Sequence, residues 1–151
     1  ILTTGNFVAS TSASLVLIEK LIDDVARLED TYERDATGIL LRPIDYYGFF
    51  KNKAEGSGEY DLPQGVTFVN GQMALFGIPV YASTAITAPD YVVGDFEMGA
   101  QLLTQEGMRI EFFDQDGTNV RENKVTVRIE GNYALPVYGP DYFIKGTTAT
   151  V

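Results

Sequence analysis

The stretch of this sequence that most resembles a chemical site is Asp114-Gln-Asp-Gly-Thr-Asn119, where carboxylates, amides and a hydroxyl gather as they do in calcium-binding loops. An EF-hand loop needs oxygens at its first, third and fifth positions, glycine at the sixth and a bidentate glutamate at the twelfth. Here glycine comes fourth and no helical pattern flanks the loop, so the spacing favours a polar turn at the tip of a strand pair, and no metal is expected. Tyr46, Tyr47, Tyr60, Tyr81, Tyr91, Tyr133, Tyr138 and Tyr142, with nine phenylalanines, could stack nucleic-acid bases. Stacking of that kind needs a basic groove, and none accompanies them; packing in a core or a subunit interface accounts better for the rings.

Zero histidines and zero cysteines remove the usual neutral-pH base, the usual metal ligands, disulfides and thiol nucleophiles. Most familiar enzyme constellations and cofactor sites go with them. Among 151 residues, 11 basic against 21 acidic side chains give a net charge of −10 and a pI near 4.3. That balance opposes phosphate backbones and anionic membranes, so neither is an expected partner. The length suits one domain, which buries about two-thirds of its unfolded surface. No apolar run approaches a bilayer span, and Ile1-Leu-Thr-Thr lacks the basic flank of a signal peptide. A start at isoleucine suggests a piece cut from a longer polypeptide.

The elements that must position these residues follow from periodicity. Thr11 to Ser14 offer hydroxyl caps to an amphipathic helix from about Ala13 to Glu33, with Leu15, Ile18, Ile22 and Val25 along one stripe and Leu17, Leu21 and Leu28 beside it. Its other face carries Glu19, Lys20, Asp23, Asp24, Arg27 and Asp30, including an Asp23–Arg27 pair at four-residue spacing. Gly38-Ile-Leu-Leu-Arg42 reads as a central strand, and Pro43 opens a short helix bearing Ile44, Tyr47 and Phe50. Lys51 to Gln72 is a long loop of the functional or mobile kind. Leu75 to Ala82 reads as one apolar strand, on which Pro79 favours an edge or a bulge.

A strand at Tyr91–Phe96 leads into an amphipathic segment, Glu97–Thr104, with Met98, Gln101 and Leu102 to one side. Gly107–Phe113 alternates Met108, Ile110 and Phe112 against Arg109 and Glu111, the pattern of a half-buried strand. The polar loop 114–123 must project. Lys124–Glu130 alternates again, a turn falls at Gly131-Asn132, and short strands follow at Tyr133–Tyr138 and Asp141–Gly146.

The runs GDFEMGAQLL, EGMRIEFFDQDG and NVRENKVTVRIEGNYALPVYGPDYFIKG, preceded in order by TGILLRPIDYYGF and ALFGIPVYAS, resemble the tailed-bacteriophage major capsid proteins, the fold named for the Hong Kong coliphage. The resemblance extends from about Thr11 to Gly146. It implies an α+β chain: an axial-domain sheet flanked by helices over residues 1–93, joined to a long antiparallel ribbon in the C-terminal portion of a peripheral domain over 94–151. The family's arm, extended loop and spine helix would lie upstream. It implies a structural protein that assembles with copies of itself, as hexamers and pentamers, into an icosahedral shell around a genome, made in the host cytoplasm and residing in the virion.

By the same resemblance, Gln115, Asp116, Thr118, Asn119, Arg121 and Glu122 would meet neighbours at threefold axes, and Lys53, Tyr60 and Gln72 would lie round the capsomer axis. In relatives that crosslink their shells, an asparagine matching Asn123 bonds to a neighbour's lysine, and a glutamate matching Glu130 acts as base. Alternation places Glu130 on the polar face with Thr126 and Arg128, which favours a structural ion pair. An encapsulin-like compartment shell is the alternative within the fold, and an acidic calcium-binding or adhesive module the alternative outside it.

Overall fold

The computed structural model describes residues 5–13, 16–51 and 65–148. In chain order its elements are β1 (Val8–Ala9), α1 (Leu17–Tyr32), β2 (Gly38–Leu41), α2 (Pro43–Gly48), β3 (Val66–Val69), β4 (Gln72–Leu75), β5 (Ile78–Ala82), β6 (Asp90–Gly94), β7 (Leu103–Phe113), α3 (Asn119–Glu122), β8 (Thr126–Ala134) and β9 (Phe143–Thr147). They divide into two units: residues 1–100 with 137–151, and residues 101–136. This differs from a break at residue 93, because β9 pairs with β6 from Asp90↔Thr147 to Gly94↔Phe143 and so returns the C-terminal strand to the first unit.

In the first unit α1 lies against a seven-stranded sheet of order β1-β9-β6-β2-β5-β4-β3. β2 is central as its apolar run implied, parallel to β5 through Ile39↔Val80 and antiparallel to β6 through Ile39↔Val93. Leu21 of the helix meets Ile39, Leu41, Val80, Tyr91 and Val93 in one buried cluster, with Leu17, Ile18 and Val25 packed beside it. The innermost line of α1 is therefore Leu21, Asp24 and Leu28, not the Ile18–Ile22 stripe, and Ile22 is turned outward. Leu15 and Ser14 fall outside the described residues. α1 starts after Val16, without a hydroxyl cap, and ends where Glu33 turns left-handed (φ 53°) and donates its N–H to Leu28 O. The serines upstream reach the helix flank instead: Ser12 Oγ donates to Asp23 at 2.5 Å. Arg27 turns to Ala9 O (2.9 Å) and the Tyr32 hydroxyl (3.2 Å), in place of the expected pairing with Asp23.

The apolar run at 75–82 is two strands. Phe76 (φ 51°) and Gly77 (φ 89°) make the tight turn between β4 and β5, and Asn70 (φ 53°) with Gly71 (φ 80°) makes the one between β3 and β4. Two consecutive left-handed residues give the twist that suits a hairpin, so residues 66–72, expected within a loop, join the sheet. Pro79 sits on a strand flanked on both sides. Its missing donor costs nothing in the pairing with β2, which begins at Val80. On α2 Tyr46 packs inward, as does Phe49 just beyond the helix, while Ile44 and Tyr47 face outward. The segment at 97–104 opens on a turn at Asp95, whose Oδ1 accepts from the N–H groups of Glu97 and Met98 at 3.1 Å each, and leads to an isolated bridge Ala100↔Val137.

The second unit is a two-stranded antiparallel ribbon, β7 with β8, closed by the loop that carries α3. β8 runs through Gly131-Asn132 without turning, since Asn132 pairs with Glu106 and Tyr133 with Thr104. Register slips between Thr104 and Arg109 place Gly107 in a bulged stretch. The expectation of half-buried strands is not met within this unit. Met108, Phe112 and Ile129 keep 73%, 71% and 62% of their surface exposed, because a two-stranded ribbon has no second layer to cover either face.

Candidate functional site

The register of the ribbon sorts its side chains into two faces of unlike chemistry. Ile110 opposes Ile129 and Phe112 opposes Val127, which makes an exposed apolar row. On the other face Arg109 opposes Glu130 and Glu111 opposes Arg128. There Glu111 accepts from Arg128 at 2.7 Å and pairs with Arg109, while Arg128 Nε reaches Glu130 Oε1 at 3.0 Å and its guanidinium lies over the Phe113 ring. Single exposed pairs of this kind contribute at most about 1 kcal/mol. Linked as four alternating charges, they leave this face electrically balanced within a chain of net charge −10.

The tip gathers Gln115, Asp116, Thr118, Asn119, Arg121 and Glu122 on one loop. Asn119 Nδ2 donates to Thr126 Oγ1 at 2.7 Å and to Phe113 O at 3.3 Å, and Thr126 Oγ1 donates to Asp116 Oδ2 at 3.2 Å, which ties the loop to the strand ends. An open hollow of about 580 Å³ beside it is lined by residues 112–116 and 126–128. Among the described residues no three acidic side chains converge as metal ligands would. Asn123 closes α3 in the left-handed conformation (φ 52°), with its N–H donated to Asn119 O. Glu130 lies on the balanced face with Arg128. Gln72 opens β4 opposite Val69 in the first unit; Lys53 and Tyr60 lie outside the described residues.

Two features escaped the sequence reading. One is an exposed aromatic patch in which Phe50 stacks on Phe68 with ring centroids 5.3 Å apart and on Tyr47 at 6.2 Å. The other is buried: Asp24, 1% exposed, accepts from Ser10 Oγ and from the Tyr91 hydroxyl, each at 2.7 Å. Burial pushes the Asp24 carboxyl above the usual carboxylate range, against the two hydrogen bonds that hold it down, and burial also pushes the Tyr91 phenol up. The signal was Asp24's spacing, three residues after Leu21 and four before Leu28, inside the apolar stripe.

The sequence matches the model of the Phage capsid family over residues 1–148. It is 31% identical over 115 residues to the major capsid protein of Enterobacteria phage HK97, covering 76% of this chain and 29% of that protein. Among solved structures, the fold is similar to the capsid of an empty GTA particle (TM-score 0.65, 15% identity, 95% of this chain and 50% of that one). It is also similar to the encapsulin of the holo-SrpI complex from Synechococcus elongatus PCC 7942 (0.61, 15%, 97% and 54%) and to a chain of Mycobacterium phage Ogopogo (0.61, 20%, 96% and 54%). The chain thus spans less than a third of the curated relative and about half of these structures.

Proposed function

The chain belongs to the phage capsid family, and from that premise we propose that it is a structural subunit of a phage or prophage shell, working by association with copies of itself. The observation that carries this reading beyond the family is the ribbon: an apolar row left uncovered, backed by a charge-balanced face. An exposed apolar strip on a two-stranded ribbon is stable only when something lies on it. Chemistry at a pocket would need enclosed, convergent groups, and the hollow at the ribbon tip is open.

Within this reading the first unit is the axial part and the ribbon belongs to the peripheral part, with the tip residues Gln115 to Glu122 meeting neighbouring subunits. Gln72 and the aromatic patch face the capsomer centre. Asn123 and Glu130 serve as structural residues, one closing α3 and the other completing the ion-pair row. The shell is the virion capsid, assembled in the host cytoplasm, and its acidic chain repels the genome it encloses. The compartment-shell reading has a likeness of fold on its side, whereas the phage reading has sequence identity to a capsid protein as well.

Expression of the full-length protein with Ile110→Asp and Ile129→Asp tests the proposal by sedimentation and electron microscopy. The unaltered protein forms closed shells and the double variant leaves folded, unassembled subunits. Shells of unchanged yield from the double variant would overturn the role given to the ribbon. A full-length protein that stays a folded monomer at high concentration would overturn the shell itself.

A further inference from the structure

Two hairpin turns at opposite ends of β4 use the same left-handed backbone with different residues: Asn70-Gly71 joins β3 to β4, and Phe76-Gly77 joins β4 to β5. Positive φ suits asparagine and is an outlier for a bulky side chain, so Asn-Gly is the ordinary filling of such a turn and Phe-Gly a strained one. Phe76 gains little from its own fold in return. Its ring lies over Gly65, where an added Cβ would strike it, and 63% of its surface stays exposed. The turn therefore holds out an aromatic knob at a position where Asn70 shows that a polar residue would serve the backbone better.

The same unit contains a hole. Ile39 and Leu41 of β2 and Val80 of β5 face the cluster beneath α1, so by alternation Leu40 and Tyr81, which pair in register, face the other side of the sheet. There Thr37, Leu40, Tyr81, Phe96 and Glu97 line a hollow of about 490 Å³. Phe96 forms a fixed wall, since its ring packs edge-on to Phe143 at 5.1 Å and its N–H donates to Thr37 Oγ1 at 2.8 Å. Tyr81 forms an exposed one. Phe76 cannot fill this hollow in its own chain, because five residues of strand put Tyr81 about 16 Å further along.

We propose that Phe76 of one copy inserts into the Leu40–Tyr81–Phe96 hollow of a second copy. The inference rests on the shell reading above and names one contact by which copies join. Aromatic walls receive an aromatic ring edge-to-face, and a ring seated in such a pocket is the usual form of an interface anchor. Strain of this kind persists where function requires it, and the seated ring offsets it. Knob and hole are different surfaces of one chain, so the contact is heterologous: each copy gives its knob to one neighbour and its hole to another, and the repeat closes into a ring where the rotation allows.

Photo-crosslinking tests this on the full-length protein, with p-benzoylphenylalanine substituted for Phe76 and isotopically light and heavy copies mixed before assembly. Light-to-heavy crosslinks from residue 76 to the residues lining the hollow are expected. Phe76→Asn, which restores the ordinary Asn-Gly turn, should leave the urea midpoint of the first unit unchanged or raised and yet leave most subunits unassembled. Tyr81→Asp should reproduce that loss of assembly with the knob intact. Crosslinks confined to one chain or to other surfaces, a lowered midpoint in Phe76→Asn, or shells of unchanged yield from either variant would each overturn the contact and leave the shell reading standing. Failure of the unaltered full-length protein to associate would overturn both.

Discussion

Tyr91 and Asp24, 67 residues apart in sequence, meet at 2.7 Å between β6 and α1, with the phenol donating to a carboxylate that is shut off from solvent. The contact fixes the rotation of α1 on the sheet, since only one face of the helix can bring a carboxylate to this hydroxyl. Its removal distinguishes two costs. Tyr91→Phe leaves Asp24 with Ser10 as its remaining side-chain donor and should destabilise the first unit by about 1–3 kcal/mol. Asp24→Ala strands the phenol and opens a small void, and should cost at least as much. Urea unfolding followed by circular dichroism measures both; equal stability of Tyr91→Phe and the unaltered chain would show that the hydrogen bond is not a net contributor.

Acidification gives a second expectation with a defined sign. The folded-state pKa of Asp24 is raised, so its favourable contribution is fully present below the unfolded carboxylate pKa and is lost as pH rises through the folded value. The difference in melting temperature between the unaltered chain and Asp24→Asn should therefore move in favour of the unaltered chain as pH is lowered from neutral. Taking the difference cancels the other carboxylates. A difference that shifts the opposite way would mean that the hydrogen bonds from Ser10 and Tyr91 outweigh burial.

Gly146 is required by the same tyrosine. A Cβ at this position would lie 2.1 Å from Tyr91 Cζ and 2.2 Å from its hydroxyl, the atom that donates to Asp24, so the ring could yield only by disturbing that hydrogen bond. Gly146→Ala should cost about 1–3 kcal/mol through overpacking. Gly107→Ala, in the bulged stretch of β7 with no atom within 4 Å of an added Cβ, should be nearly neutral by the same measurement.

The ribbon should be separable from the unit that carries it. Ala100 and Val137 form a β-bridge where the chain leaves and re-enters the first unit, so a short Gly-Ser turn can replace residues 101–136. The shortened chain should keep a cooperative melting transition and its near-ultraviolet signal. Loss of both would show that the first unit depends on the ribbon for its fold.

Much of the first unit was legible because burial there follows local pattern. Gly38–Leu41 is uniformly apolar and proved central, and Pro43 marked the start of α2. The errors came where a residue's role depends on a distant partner. Asp24 looks like one more charge on a solvated face until Tyr91 and Ser10 are brought to it. Phe76-Gly77 has the appearance of a continuing strand, since a phenylalanine with positive φ is not a usual turn residue, whereas Asn70-Gly71 carries the ordinary hairpin signal within a glycine-rich stretch that otherwise reads as loop. In the ribbon, alternation correctly separated Ile110, Phe112, Val127 and Ile129 from Arg109, Glu111, Arg128 and Glu130, but the inference that one face is buried assumed a covering layer. For the tip, order along the chain was legible and side-chain partners such as Asn119–Thr126 were not.

The pairing of β1 with β9 has a consequence for the order in which this chain can fold during synthesis. Val8 is made long before its partner Ile144, and β6 is also made before β9, though by a shorter stretch of chain. Until then β6 presents an unpaired edge while the hairpin 103–134, whose partners lie close in sequence, can already form. The ribbon can therefore be complete while the sheet is still unfinished, and it is β9, made after the ribbon, that closes the first unit.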